Sequence, residues 1–247
     1  MKNFKLTDKT KTLDSGIILH CIECISKIPG KPEVKVGDKG GWVEKESNID
    51  DNAWVYGNAV VSDNARVYGN ARVYGDAWVS DNARVYGDAW VSDNARVSDN
   101  ARVSGDTRVF GNARVYGNAV VHSNAWVFGN ARVYGNAEVC DNARVSGNAR
   151  VYGNARVSGN ARVSGNAEIS GDTESQSKED YIVFKNWWSS GRFFTWTRSN
   201  NMWRVGCFYG TGEELVAKAY KDSEKSGREY ERVVKYVQSI LDDERKQ

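Results

Sequence analysis

The sequence predicts a mainly β protein organised around a parallel β-coil, and three observations carry that reading. A six-residue phrase, clearest as Val-Tyr-Gly-Asn-Ala-Arg at Val67–Arg72 and Val151–Arg156, repeats without a slip from Val43 to Glu174. An aliphatic residue stands at every sixth position from Val43 to Ile169, giving 22 hexads, and position five is Ser47, then Ala from Ala53 to Ala167 except for Thr107, ending at Thr173. Positions three and four are Gly or Asp followed by Asn or Asp in nearly every copy, residues that tolerate positive φ and bond their own backbone, so each hexad contains a turn. An α-helix needs a period of 3.6 and would be broken by Gly-Asn every six residues. Regular turns also disfavour a flat cross-β sheet. Short strands with only Val facing inward, and a small Ala just past each corner, remain.

Composition narrows the function classes. The chain has 247 residues and a formal charge of +2, divided as +3 over residues 1–42, −3 over 43–174 and +2 over 175–247. No segment is basic enough for bulk charge to predict nucleic-acid binding. No apolar run reaches about 18 residues, and Lys2, Lys5 and Asp8 precede no hydrophobic stretch, so no membrane span or signal peptide is expected and a cytoplasmic protein is the default. Cys21 and Cys24 have metal-ligand spacing but no second pair, and a separation of three puts their sulfurs on opposite faces of a strand. Buried, reduced thiols are expected, with no disulfide framework and no metal.

Residues 1–42 read as an N-terminal β cap. Asn3–Thr7 and Ile17–Ile25 are expected strands, Pro29 and Pro32 punctuate the following loop, and Trp42 leads into the first hexad as an apolar plug for the coil end. His20 reads as a structural histidine.

An aliphatic at position one and a small residue at position five, repeated in sixes, resembles the hexapeptide repeat of left-handed parallel β-helices. The entry Gly40-Gly41-Trp42-Val43 and the Asn-Ala-Arg-Val-Tyr-Gly runs are similar to YdcK-like and phage or prophage hexapeptide-repeat proteins. The resemblance implies three hexads per triangular coil, just over seven coils, and a prism roughly 35 Å long at about 4.8 Å per layer. Folded at 18 residues per coil, one flat stacks Trp54, Arg72, Trp90, Arg108, Trp126, Arg144 and Arg162, with Trp and Arg alternating at cation–π spacing. A second stacks Trp78, Arg96, Arg114, Arg132 and Arg150 beside Tyr116, Tyr134 and Tyr152. The third stacks Arg66, Arg84, Arg102, Val120, Glu138 and Arg156 beside Tyr68, Tyr86, His122 and Cys140. Acids occupy the corners. These arginines either cover a thin solenoid and pair with corner acids, or form an aromatic and guanidinium surface for an anionic or flat partner.

Many left-handed β-helix proteins are acyltransferases, which the resemblance implies use a catalytic His and a loop that interrupts the coils. This chain has His20 and His122 alone and no inserted loop, and His122 reads as a surface substitution on a flat wall. No catalytic residue and no cofactor are expected.

Residues 43–174 are taken as the repeat, and 175–247 as a C-terminal α+β module. Glu174–Asp180 reads as a linker, three strands follow, and the capping box Thr211–Glu214 starts a helix that Ser226-Gly227 interrupts before a second helix. The module resembles the ending of phage hexapeptide-repeat proteins. Trp187 and Trp188 cannot both face one core. They cap the last coil, or they join Arg192, Arg198 and Arg204 in a ligand site. The expectation is a non-enzymatic binding or scaffolding protein, a phage or prophage accessory factor that binds a host protein or an anionic ligand. Its candidate residues are Trp54, Arg72, Trp90, Arg108, Trp126, Trp187, Trp188 and Arg192. A homo-oligomer, dimer or trimer, is possible by the same resemblance. A nucleic-acid-binding solenoid and a hexapeptide-type acyltransferase are the alternatives.

Overall fold

A computed structural model describes residues 2–50 and 52–246. Its centre is a parallel β-solenoid of two-residue strands, each made of hexad positions six and one, as in Arg66–Val67 and Arg84–Val85. Strands 18 residues apart pair in register, so Val67 lies over Val85 and Val85 under Val103. Three flats result. Two are seven-stranded sheets, and the third carries seven two-residue strands extended at its N-terminal edge by three longer ones that are antiparallel to one another, the innermost joining the solenoid in parallel.

The inward column is Val or Ile backed by Ala, all fully buried between Ala71 and Ile169. Removing each Val from water contributes about 1.5–3 kcal/mol in transfer terms, repeated at every corner-to-corner step. Gly or Asp holds positive φ at the corners, for example Gly75 at +71° and Asp93 at +57°. The layers approach so closely there that a Cβ on Gly75 would lie 2.9 Å from the Asp93 amide nitrogen. Asparagines at position four form ladders along the axis, such as Asn112 Nδ2 to Asn130 Oδ1 at 3.1 Å.

The N-terminal module consists of β1 (Phe4–Thr12), β2 (Ile18–Cys24) and β3 (Lys39–Val43), with β3 pairing in parallel to Val60–Val61. Its plug differs from expectation. Trp42 points outward beneath the ammonium groups of Lys9 and Lys11, at 5.5 and 4.6 Å from its ring. Strand alternation sends Val43 inward instead, and Phe4, Ile22, Ile28 and Val34 close the core. Cys21 and Cys24 are buried and free. The first coil also departs from the repeat. Glu46–Asn48 is a 3-10 turn in which Asn48, rather than Ser47, faces inward and donates to the carbonyls of Asp63 and Ala65. Buried Lys31 covers the corner carbonyls of Asn52 and Asn70.

The repeat runs one strand beyond Ile169. Glu174–Ser175 pairs with Arg156–Val157, and Ser177 caps a short turn over Lys178–Asp180, so the expected linker is part of the solenoid end. The C-terminal sheet has four antiparallel strands rather than three: Tyr181–Lys185, Phe193–Thr197, Met202–Val205 and Phe208–Gly210. Helix α1 spans Gly212–Asp222 with the Thr211–Glu214 capping box, and α2 spans Glu224–Glu244. The break falls at Ser223, which caps α2. Gly227 lies inside α2, where it admits the Tyr220 ring.

This sheet closes the last coil with hydroxyl groups. Orphan amides of the terminal layer donate to acceptors above them: Ser164 to Tyr181 Oη at 3.2 Å, Glu168 to Thr195 Oγ1 at 2.9 Å and Glu174 to Ser199 Oγ at 3.0 Å. Trp187 and Trp188 take no part in that closure.

Candidate functional site

The 18-residue register builds the ladder of the first flat. Arg108 lies between two indoles, its guanidinium carbon 5.1 Å from the Trp90 ring centre and 4.9 Å from that of Trp126. Arg72 lies 5.3 Å from Trp90 and Arg144 4.7 Å from Trp126. Phe110 stacks on Phe128 at 5.0 Å and meets Trp126 edge-on. Ser92 stands in the aromatic column between Tyr74 and Phe110, which opens a shallow notch lined by Tyr74, Trp90, Asp93, Arg108, Phe110 and Trp126.

The near end of the ladder is covered. Trp54, expected on the surface, is 1% exposed. The loop around Gly30–Glu33 crosses it, since Arg72 Nη2 donates to the Gly30 carbonyl at 2.8 Å and Tyr56 Oη donates to Glu33 at 2.7 Å. Strand pairing with the module fixes where that loop lands, and no local pattern announces it. The open stretch is Trp90, Arg108, Trp126 and Arg144.

The corner aspartates do not neutralise the arginines. Asp93, Asp99 and Asp141 accept from the amides of Gly111, Gly117 and Gly159 in the next layer, at 2.8–3.0 Å. Among the described residues Arg108, Arg114, Arg132 and Arg144 have no carboxylate within 4.0 Å, whereas Arg150 reaches Glu168 at 3.3 Å.

The C-terminal candidates do not join the ladder. Trp187 is 76% exposed, while Trp188 packs edge-on against Tyr230 and Phe194 in the module's own core. Arg192 lies beside Asn148, Arg150 and Glu168 on the second flat, and on its other side lines a cavity of about 270 Å³ with Ser189, Cys207, Lys218 and Ser226. Arg198 pairs with Glu244, and Arg204 lies over Tyr152 near Glu168. Arg192 and Arg204 thus both lie near Glu168 while Arg198 pairs elsewhere, so the three arginines form no common site.

A second constellation lies on the third flat, and reading the columns alone missed its connections. His122 Nε2 is 2.8 Å from Glu138 Oε1, and Nδ1 is 3.0 Å from Ser123 Oγ. Arg156 donates to Glu138 Oε2 at 2.7 Å and to Cys140 Sγ at 3.5 Å. Burial pushes the Cys140 thiol up to about 11, so it is not an activated nucleophile. His122 thus has an orienting carboxylate, contrary to the bare wall expected. A signal was available: from residue 56 to 170, position two is Tyr, Phe or Ser except at His122 and Cys140.

The repeat of residues 65–81, 77–93, 95–109, 107–123, 137–153, 143–159, 149–165 and 155–171 matches the family described as the YdcK beta solenoid repeat. No curated protein matches the chain.

Proposed function

Starting from a solenoid of YdcK-type repeats, we propose that this is a non-enzymatic binding or scaffolding protein that docks an acidic protein surface on its first flat. The observation that carries the reading is Arg108, held between Trp90 and Trp126 without a carboxylate partner. Stacking between rigid rings holds the guanidinium in place, so little side-chain entropy is lost on binding, and Trp and Arg are the residues that dominate interface energetics. A carboxylate approaching the flat would meet guanidiniums at Arg108 and Arg144 and apolar rings between them. The likeness of the Gly40–Val43 entry with its repeat, and of the C-terminal module, to phage hexapeptide-repeat proteins supports a phage or prophage accessory factor acting on a host protein in the cytoplasm. No helix among the described residues is long and apolar enough to cross a membrane.

The test is affinity capture from host cells with the natural protein and with Arg108→Glu and Trp90→Ala/Trp126→Ala, followed by native mass spectrometry. A partner retained by the natural protein and released by both variants supports the reading. Equal retention by all three rejects the first flat as the docking surface. Retention of nucleic acid, with affinity falling steeply as salt rises, would favour the nucleic-acid alternative.

A further inference from the structure

We propose that His122, Glu138 and Cys140 form a binding site for a borderline-soft divalent cation of the zinc type. One ligand atom from each residue lies within 4.8 Å of the other two. Nitrogen, carboxylate oxygen and thiolate sulfur together are a zinc donor set, and three protein ligands leave a fourth position for water.

The internal repeat is the control that isolates this spot. From residue 57 to 171, position three is Gly or Asp except at Ser123, and from 54 to 162 position six is Arg or Trp except at Val60, Val120 and Glu138. Together with His122 and Cys140, four departures from the phrase meet on adjacent coils, and Val120, directly over Glu138, is a fifth. Covering a solenoid asks for none of them. Val120 removes the arginine that would otherwise stand over Glu138. Ser123 holds a left-handed φ of +64°, where its neighbours use Gly or Asp, and puts a hydroxyl on His122 Nδ1. The hydroxyl can serve either tautomer, and it accepts from Nδ1 when Nε2 is given to a metal, the usual outer support of a zinc histidine.

Arg156 now occupies the position of the cation, holding Glu138 and Cys140 through one guanidinium. Its side chain is 46% exposed and can swing to solvent. On binding, the imidazole proton that Nε2 shares with Glu138 shifts to Nδ1, where Ser123 Oγ accepts it, and the thiol proton is released to solution as the sulfur–metal bond forms. The Cys140 thiol now donates to the Asp141 carboxylate at 3.7 Å, a bond that the sulfur–metal bond would replace.

The experiment is titration with Co²⁺ alone, read by thiolate-to-cobalt absorption, with Zn²⁺ competition, in full-length protein carrying Cys21→Ser, Cys24→Ser and Cys207→Ser. One equivalent with a thiolate band is expected. His122→Ala should weaken binding at least tenfold, Cys140→Ser should abolish the band, and Arg156→Gln should tighten binding about tenfold by removing a competing charge. Circular dichroism of each variant separates loss of the site from loss of the fold, and His122→Ala lies on an exposed flat where the coil does not depend on it. Absence of a band in both the parent and Arg156→Gln, or a band surviving Cys140→Ser, overturns the assignment.

Discussion

The Asp93 carboxylate accepts a hydrogen bond from the Gly111 amide, one coil away, at 2.9 Å. Asp93, Asp99 and Asp141 are thereby committed to the backbone, and among the described residues Arg108, Arg114, Arg132 and Arg144 are left without a carboxylate partner. Asp93 itself holds a φ of +57°. Asp93→Gly keeps that conformation and loses the acceptor, for an expected loss of about 1 kcal/mol. Asp93→Ala loses the acceptor too but keeps a Cβ in the left-handed region without the polar side chain that makes that region tolerable for Asp, and the expected loss rises to about 2–3 kcal/mol. Urea denaturation of the two variants should rank them in that order, and equal losses would show that the carboxylate alone matters.

Trp54 and Trp126 share a column but not an environment, since one is buried under the N-terminal loop and the other faces solvent in part. Trp54→Ala should destabilise by about 3–5 kcal/mol. Trp126→Ala should cost about 1 kcal/mol, the value of its exposed guanidinium contacts. Thermal melts distinguish the two.

The solenoid was legible because its information is local and periodic: Val, Ala and the Gly-Asn corners each repeat their instruction every six residues. The helices were legible for the same reason, through Thr211–Glu214 and the spacing of Leu215 and Ala219. What escaped were contacts between distant segments. The cover over Trp54 depends on where residues 28–34 land, and the bond between His122 and Glu138 crosses from one coil to the next. The corner acids illustrate a different failure. Charge alone suggested pairing with Arg, while the close approach of layers offered a nearer donor in the backbone amide.

Gly227 gives a prediction opposite to helix propensity. Replacing Gly by Ala inside a helix ordinarily gains about 1 kcal/mol. Here a Cβ would lie 2.2–2.5 Å from the Tyr220 ring, which seals α1 against α2. Gly227→Ala should therefore destabilise the C-terminal module, and Gly227→Ala/Tyr220→Ala should recover part of the loss. A Gly227→Ala variant that melts above the parent would show that the ring yields freely.

Burial, with the Arg72 charge as a lesser cause, holds the Lys31 ammonium down to about 8 from its ordinary 10.5. Below pH 8 both the folded and unfolded chains carry the proton, and the folded state bears the full penalty of a desolvated charge. Between pH 8 and 10.5 the unfolded chain still binds the proton that the folded chain has released, so this residue's contribution to stability rises with pH. NMR titration of the lysine Cε signals should give Lys31 a midpoint near 8. Lys31→Met should flatten the local pH dependence while leaving the Asn52 and Asn70 carbonyls without their donor. A midpoint near 10.5 would mean that water reaches the ammonium.

The terminal coil presents its amides to Tyr181, Thr195 and Ser199, and an uncovered coil would present them to another molecule instead. Unpaired strand edges recruit strands, and in a solenoid every layer offers the next one the same register. Thr195→Val keeps the shape but removes the acceptor for the Glu168 amide, at an expected loss of about 1–3 kcal/mol. Ending the chain after residue 176 removes the whole cover, and sedimentation should then show association that grows with concentration. Charge at the exposed edge should oppose that association. Adding Lys at Ser164 and Asp172, exposed residues of the last coil, should restore a concentration-independent species. A truncated chain that remains at one sedimentation coefficient across a hundredfold concentration range would show that the C-terminal module is dispensable as a cap.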